Sequence, residues 1–328
     1  MNQGNRSTRS ETLAHSPRAR SSAPRRSTPL RALGAGVVAA GLLALAIMSP
    51  HTDDGGTVPT DRHGGDPSAA SGPTHLFGVS LASVSALADA TALAHRLDRH
   101  LDVIDLYSDW TSGFPTPEVT AIAATGAEPE ITWEPWDYAR GPVQDIFSLT
   151  SITSGSFDTY IQQWAAAAAV WKRPLYLRFA HEMNGDWYPW AIGVNGNTAS
   201  EYIAAYRHVH ALFQAAGATN VSWIWSPNVI WRAGSDPSPM YPGSDDVDVI
   251  GIDGYNPGQP GGPWSSPRQV FGATLARVAT FAPDKRIIIT ETGSSEVGGN
   301  KAAWVTDFLR YIAAAPSVVG FVWSEYAG

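Results

Sequence analysis

The residues Arg178-Phe179-Ala180-His181-Glu182-Met183-Asn184-Gly185-Asp186-Trp187-Tyr188-Pro189-Trp190 set the reading of this chain. Just before them, Pro174-Leu175-Tyr176-Leu177 is a short apolar run of the kind a buried strand makes. Asn184-Gly185 is a turn signal that ends it. A carboxyl, an imidazole, an amide and two indoles therefore gather at the C-terminal end of one strand. In β/α proteins, ligands bind at that end of the sheet.

Working outward, strand-like and helix-like stretches alternate from residue 75. Candidate strands fall at 76–81, 103–107, 129–133, 175–180, 221–225, 247–252, 286–290 and 318–323. Helical spacing of apolar residues marks 84–97, 117–125, 157–171, 198–216, 267–281 and 301–314. A long loop takes the place of a helix between the fifth and sixth strands. Eight strands with mostly helical crossovers predict an α/β fold, a single (β/α)8 TIM barrel over 75–328, close to the usual ~250 residues. The rival, a doubly wound sheet, lacks the Gly-rich phosphate loop that should follow its first strand. Only five residues follow Trp323, so the final helix is missing or the sequence is truncated.

The rest of the chain reads differently. Residues 1–31 carry seven Arg against the single acid Glu11, a basic tail. Residues 32–48 are uncharged and would span ~25 Å as a helix, against a hydrocarbon core of ~30 Å. Basic flank, apolar run and Ala44-Leu45-Ala46 predict a secretory signal peptide or an uncleaved signal anchor. Residues 49–74, rich in Asp, Gly, Pro, Ser and Thr, read as a flexible linker. The catalytic domain is thus expected outside the cytoplasmic membrane, secreted or tethered through its N-terminal segment, and monomeric.

Composition excludes several functions. There is no cysteine, so disulfides and thiolate chemistry are ruled out. The formal net charge is −8 and the basic tail carries +6, which leaves about −14 on the remainder, a poor nucleic-acid binder. His181-Glu182 has no second histidine at metalloprotease spacing, and the nine histidines form no cluster, so no metal is expected.

Almost every strand ends in a polar or aromatic residue: Asp109 and Trp110; Trp133, Glu134 and Trp136; His181, Glu182 and Trp187; Ser226 and Asn228; Asp253, Tyr255 and Asn256; Glu291; Trp323. Glu182 and Glu291, from strands four and seven, are the expected catalytic pair. Strand alternation would put Arg178, Ala180 and Glu182 on one face and Ile287, Ile289 and Glu291 on one face. Glycoside cleavage needs such a pair: one carboxyl protonates the leaving oxygen while the other attacks the anomeric carbon or activates water. Arg178 would keep a neighbouring carboxylate ionised. Trp110, Trp133, Trp136, Trp187, Trp190, Trp231, Trp264 and Trp323 lie at strand ends or in loops, placed to stack on pyranose rings.

These segments resemble glycoside hydrolase family 26. His181-Glu182-Met183-Asn184-Gly185 with Trp187-Tyr188-Pro189-Trp190 is similar to the family's acid/base segment, and Ile288-Ile289-Thr290-Glu291-Thr292-Gly293 to its nucleophile segment. Trp133-Glu134-Pro135-Trp136, Trp225-Ser226-Pro227-Asn228 and Gly251-Ile252-Asp253-Gly254-Tyr255-Asn256 are also similar to family segments. The resemblance implies Glu182 as general acid/base, Glu291 as nucleophile and Tyr255 as hydrogen-bond donor to Glu291. It further implies His181 and Trp187 lining the cleavage subsites, Trp323 flooring the subsite before the cut, retention of configuration and no cofactor. Ser324 departs from the Phe often found there.

The expected activity is a retaining endo-β-glycanase on β-1,4-mannan, with Asn228, Trp133, Trp136 and Arg178 among the substrate-site residues. The alternatives are a mixed-linkage β-glucanase or xylanase of the same family, or a non-catalytic glycan-binding barrel on the cell envelope.

Overall fold

The computed structural model describes residues 75–258 and 264–324. The basic tail, the apolar run and the linker expected over 1–74 lie outside these residues. Among the described residues, no helix is long and apolar enough to cross a membrane.

The eight expected strands are present: β1 (Leu76–Leu81), β2 (Val103–Asp109), β3 (Glu128–Glu134), β4 (Leu175–Phe179), β5 (Val221–Trp225), β6 (Val249–Asn256), β7 (Arg286–Ser294) and β8 (Val318–Trp323). They pair in parallel in chain order, and β8 returns to β1, closing the barrel. Helices α1 (Leu87–Leu97), α2 (Thr116–Ala124), α3 (Leu149–Thr153), α4 (Asp158–Trp171), α5 (Ala199–Ala215), α6 (Pro267–Phe281) and α7 (Lys301–Ala313) form the crossovers. The β5–β6 connection holds only a turn of 3-10 helix at Ser238–Met240, as its loop-like sequence predicts.

Helix starts follow local chemistry. Thr198 and Glu201 form a reciprocal capping box on α5, and Ser266 and Gln269 form one on α6, where Pro267 sits in the first turn. Asn300 caps α7 through Ala303 N.

Alternation along the strands sorts the side chains into two cores. Val103, Tyr176, Ile224, Val249, Ile288 and Val322 form an apolar plug of their own. Their strand neighbours Ile104, Leu177, Trp225, Ile250, Ile287 and Ile289 pack in the larger layer under the helices. Above the plug, the barrel interior turns polar, with Asp105, Glu130, Thr132, Arg178, Ser226, Asp253 and Thr290 fully buried. Gly251 makes room for this layer, since a Cβ there would lie 2.5 Å from Ser226 Oγ and 2.6 Å from Thr290 Oγ1.

Candidate active site

Arg178, the inward residue of β4, organises the polar layer. Its Nη1 donates to Asp253 Oδ1 at 2.9 Å, and its Nε and Nη2 donate to Thr132 Oγ1 at 2.9 and 2.6 Å. Nη2 stands 2.8 Å from Glu291 Oε1, and Nε stands 3.1 Å from Glu130 Oε1. A fully buried guanidinium is tolerable only with this many charged and polar partners. Burial pushes the carboxyls of Asp105, Glu130 and Asp253 up towards their protonated forms, against the pull of Arg178.

Glu291 goes the other way. Burial opposes its ionisation, but the Arg178 cation, reinforced by hydrogen bonds, outweighs burial and holds the carboxyl down at about 2. Tyr107 Oη donates to Oε1 at 2.6 Å and Tyr255 Oη to Oε2 at 2.7 Å, each favouring the anion. His181 Nε2 lies 3.5 Å from Oε1. Burial and Arg178 push that imidazole down to about 3, so it is neutral near pH 7 and the positive charge beside Glu291 is Arg178's.

Strict alternation does not bring Glu291 here. Ile287 and Ile289, expected on its face, pack outside the barrel. Between Gly251 and Asp253 of β6, the partner strand β7 advances from Ile288 to Glu291, three residues against two. This bulge turns Glu291 inward beside Thr290, which donates to Asp253 Oδ1 at 2.6 Å.

The face expected for Arg178, Ala180 and Glu182 breaks in a similar way. Ala180 joins the outer core, and Ala180 and Glu182 both take left-handed backbone conformations, φ 48° and 52°. Each costs on the order of 1–3 kcal/mol and persists because the surroundings enforce it. Glu182 N donates to Ser226 O at 2.7 Å, Trp190 Nε1 to His181 O at 2.6 Å and Tyr202 Oη to Ala180 O at 3.1 Å.

So held, Glu182 receives Trp187 Nε1 on Oε2 at 2.6 Å and Asn228 Nδ2 on Oε1. Burial first, and the negative charge of Glu291 second, raise its carboxyl to about 7 despite these donors. In neutral water Glu291, on β7, is thus ionised, while Glu182, in the turn after β4, still holds its proton about half the time.

The remaining expected site residues divide. Asn228, Trp187, Tyr255 and His181 stand at the two carboxyls as described. Trp323 ends β8 half-buried, with Lys301 Nζ 5.9 Å from its ring centroid. Trp133 belongs to the core instead: it is fully buried and stacks on Trp164 at 4.5 Å, because it is an outward residue of β3. Trp136 is also buried, giving its Nε1–H to Glu134 and its ring edge to Tyr188 and Trp190. Arg178 is fully buried and serves Glu291 rather than the groove. Trp110 and Trp190 are buried too, which leaves Trp187, Trp231, Trp264 and Trp323 with exposed surface.

Tyr107 escaped the sequence reading. Its signal was the inward series Val103, Asp105, Tyr107 on β2, masked by the more conspicuous Asp109-Trp110. Asp109 in fact accepts from Thr111 N and Oγ1 and holds a turn.

His181, Asp253 and Glu291 offer metal-ligand atoms within 4.8 Å of one another, the one such trio among the described residues. Arg178 already donates to both carboxylates there, so a cation would meet the guanidinium at hydrogen-bond range.

A barrel that brings two carboxyls of well-separated acidity, one just after its fourth strand and one on its seventh, to the same site defines a two-carboxylate centre of the kind glycoside cleavage uses. The family model of glycosyl hydrolase family 26 matches residues 152–293, both carboxyls included. The chain is similar to endoglucanase H of Acetivibrio thermocellus, 38% identical over 235 residues, which are 69% of this chain and 25% of that protein. It is similar to a mannan endo-1,4-beta-mannosidase of Bacillus subtilis, 30% identical over 87 residues, 25% of this chain and 23% of that one. The matches thus span about a quarter of these relatives' length. Among solved structures, GH26A from Muricauda sp. MAR_2010_75 shares the fold, with a TM-score of 0.58 at 17% identity over 76% of this chain and 83% of that one.

Proposed function

We propose that this protein is a retaining endo-β-glycanase. Glu291 attacks the anomeric carbon while Glu182 donates its proton to the leaving oxygen. Glu182 then takes a proton from the water that releases the glycosyl-enzyme. The observation that carries the two-carboxylate chemistry is the split in acidity, with Arg178 holding Glu291 near 2 while burial and Glu291 hold Glu182 near 7; retention is supported by the family likeness. Once Glu291 is esterified, its charge is gone, and Glu182 becomes more acidic when it must act as a base.

The proposed substrate is β-1,4-mannan, supported by the mannan endo-1,4-beta-mannosidase likeness. A β-glucan is the second reading, supported by the longer likeness to endoglucanase H. The glucan reading ranks second because several of the similar relatives are mannan endo-1,4-beta-mannosidases. The proposed site of action is outside the cytoplasmic membrane, on the strength of the basic and apolar N-terminal composition.

Reducing-sugar release from mannan, mixed-linkage glucan and xylan tests the activity, with Glu182→Gln and Glu291→Gln as controls. Each control should lose on the order of a thousandfold. Binding of a polysaccharide by the wild type without release would instead identify a non-catalytic barrel.

A further inference from the structure

We infer that Trp231 and Arg232, on the β5–β6 loop, form a binding platform for the leaving portion of the glycan chain. The inference rests on the proposed roles of Glu182 and Glu291 and adds a direction to the groove.

The elements around the two carboxyls are segregated. Glu291 is held by side chains of β2, β4 and β6: Tyr107, Arg178 and Tyr255. Glu182 is held by Trp187 and Asn228, from the loops after β4 and β5. The acid must reach the glycosidic oxygen, so the departing sugars lie against the elements that carry Glu182.

Trp231 is the next surface on that side. Its ring centroid lies 5.7 Å from that of Trp187, tilted 41°, and the residue is 44% exposed. An exposed indole continuing from one bonded to the acid offers a flat face to a pyranose ring. The Arg232 guanidinium lies over one face of the Trp231 ring, 4.2 Å from its centroid, so the sugar would take the other face, and Arg232 pairs with Asp186 at 2.9 Å. Both side chains of that pair are about half exposed, so they present donors and acceptors suited to sugar hydroxyls.

The platform is built rather than incidental. Asn184 Nδ2 donates to Asn228 O and Ser235 O at 2.8 and 2.9 Å, and Asn228 N donates to Asn184 Oδ1 at 2.9 Å. Trp231 N and Arg232 N both donate to Ser235 Oγ. One buried amide therefore staples the loop carrying Trp231 to the loop carrying Glu182 and Trp187.

The test compares two substrates of the same sugar. One is the polysaccharide cleaved best. The other is its short oligosaccharide linked to 2-chloro-4-nitrophenol, which has no leaving sugar. In Trp231→Ala, the ratio of kcat/KM on the polysaccharide to that on the aryl glycoside should fall about tenfold, mostly through KM. Trp231→Phe should recover most of that ratio, and Arg232→Gln should lower it about threefold. Melting temperatures within a degree or two of wild type confirm that each variant folds. A ratio unchanged within twofold in both Trp231→Ala and Arg232→Gln overturns the platform while leaving the catalytic pair standing. A wild type that cleaves neither substrate overturns both.

Discussion

Arg178 Nη2 and Glu291 Oε1 stand 2.8 Å apart, with the arginine side chain wholly shielded and the carboxyl nearly so. Arg178 also donates to Asp253 and pairs with Glu130, so its loss strands both of these acidic groups, along with Glu291, in the barrel. Arg178→Leu is expected to cost about 3–5 kcal/mol in urea unfolding at pH 7. Arg178→Lys keeps the charge and loses the fork. It should fold, lose on the order of a hundredfold in kcat, and show an acid limb displaced upward as the Glu291 pKa rises. An unmoved acid limb would mean that the guanidinium does not set the charge of Glu291.

The two carboxyls bracket the working range. The acid limb of kcat/KM should fall near pH 2, where Glu291 becomes protonated, and the basic limb near pH 7, where Glu182 loses its proton. Asn228 donates to Glu182 and favours its anion. Asn228→Ala should therefore move the basic limb to higher pH while lowering kcat. A downward move would reverse the assigned sign.

Stability should also depend on pH through buried acids. Burial raises Glu182 to about 7 and Glu134 to about 8, above their unfolded values near 4.5. The fold prefers both groups protonated. Their stabilising contribution is full below pH ~4.5 and is lost as pH rises through 7 and 8. Glu134→Gln should raise the melting temperature at pH 9 by about 2–4 °C and leave it little changed at pH 4. Equal shifts at both pH values would point to packing rather than ionisation.

Trp133 separates architecture from recognition. Stacked between α4 and β3 against Trp164, it touches no groove surface. Trp133→Ala should cost about 3–5 kcal/mol in chemical denaturation. Active-site titration of the folded fraction should find KM within about twofold of wild type. A large KM change without destabilisation would return Trp133 to the substrate site.

The sequence was a good guide wherever the determinants were local. Three strands, at 76–81, 221–225 and 318–323, begin and end where the apolar runs do, because polar and turn residues flank them: Thr74-His75 and Ser83, Asn220 and Ser226-Pro227, Pro316-Ser317 and Ser324. Both carboxyls were legible because a charged residue at the end of an apolar strand has no local reason to be there. The indoles misled because a tryptophan looks alike from the sequence whether it faces a groove or a helix. Facing is set by inward–outward parity, which sent Trp133 into the core.

By itself the sequence determined eight strands, their order, and the placing of two acids close to strand ends, since strand length and polar punctuation act over a few residues. Only the tertiary structure decided how those acids meet. Glu291 turns inward because β7 slips one residue against β6, and Glu182 because a left-handed turn is clamped by Ser226, Trp190 and Tyr202. The protonation states were decided there too. They depend on the through-space distance to Arg178 and on the exclusion of water, and neither is a property of neighbouring residues along the chain.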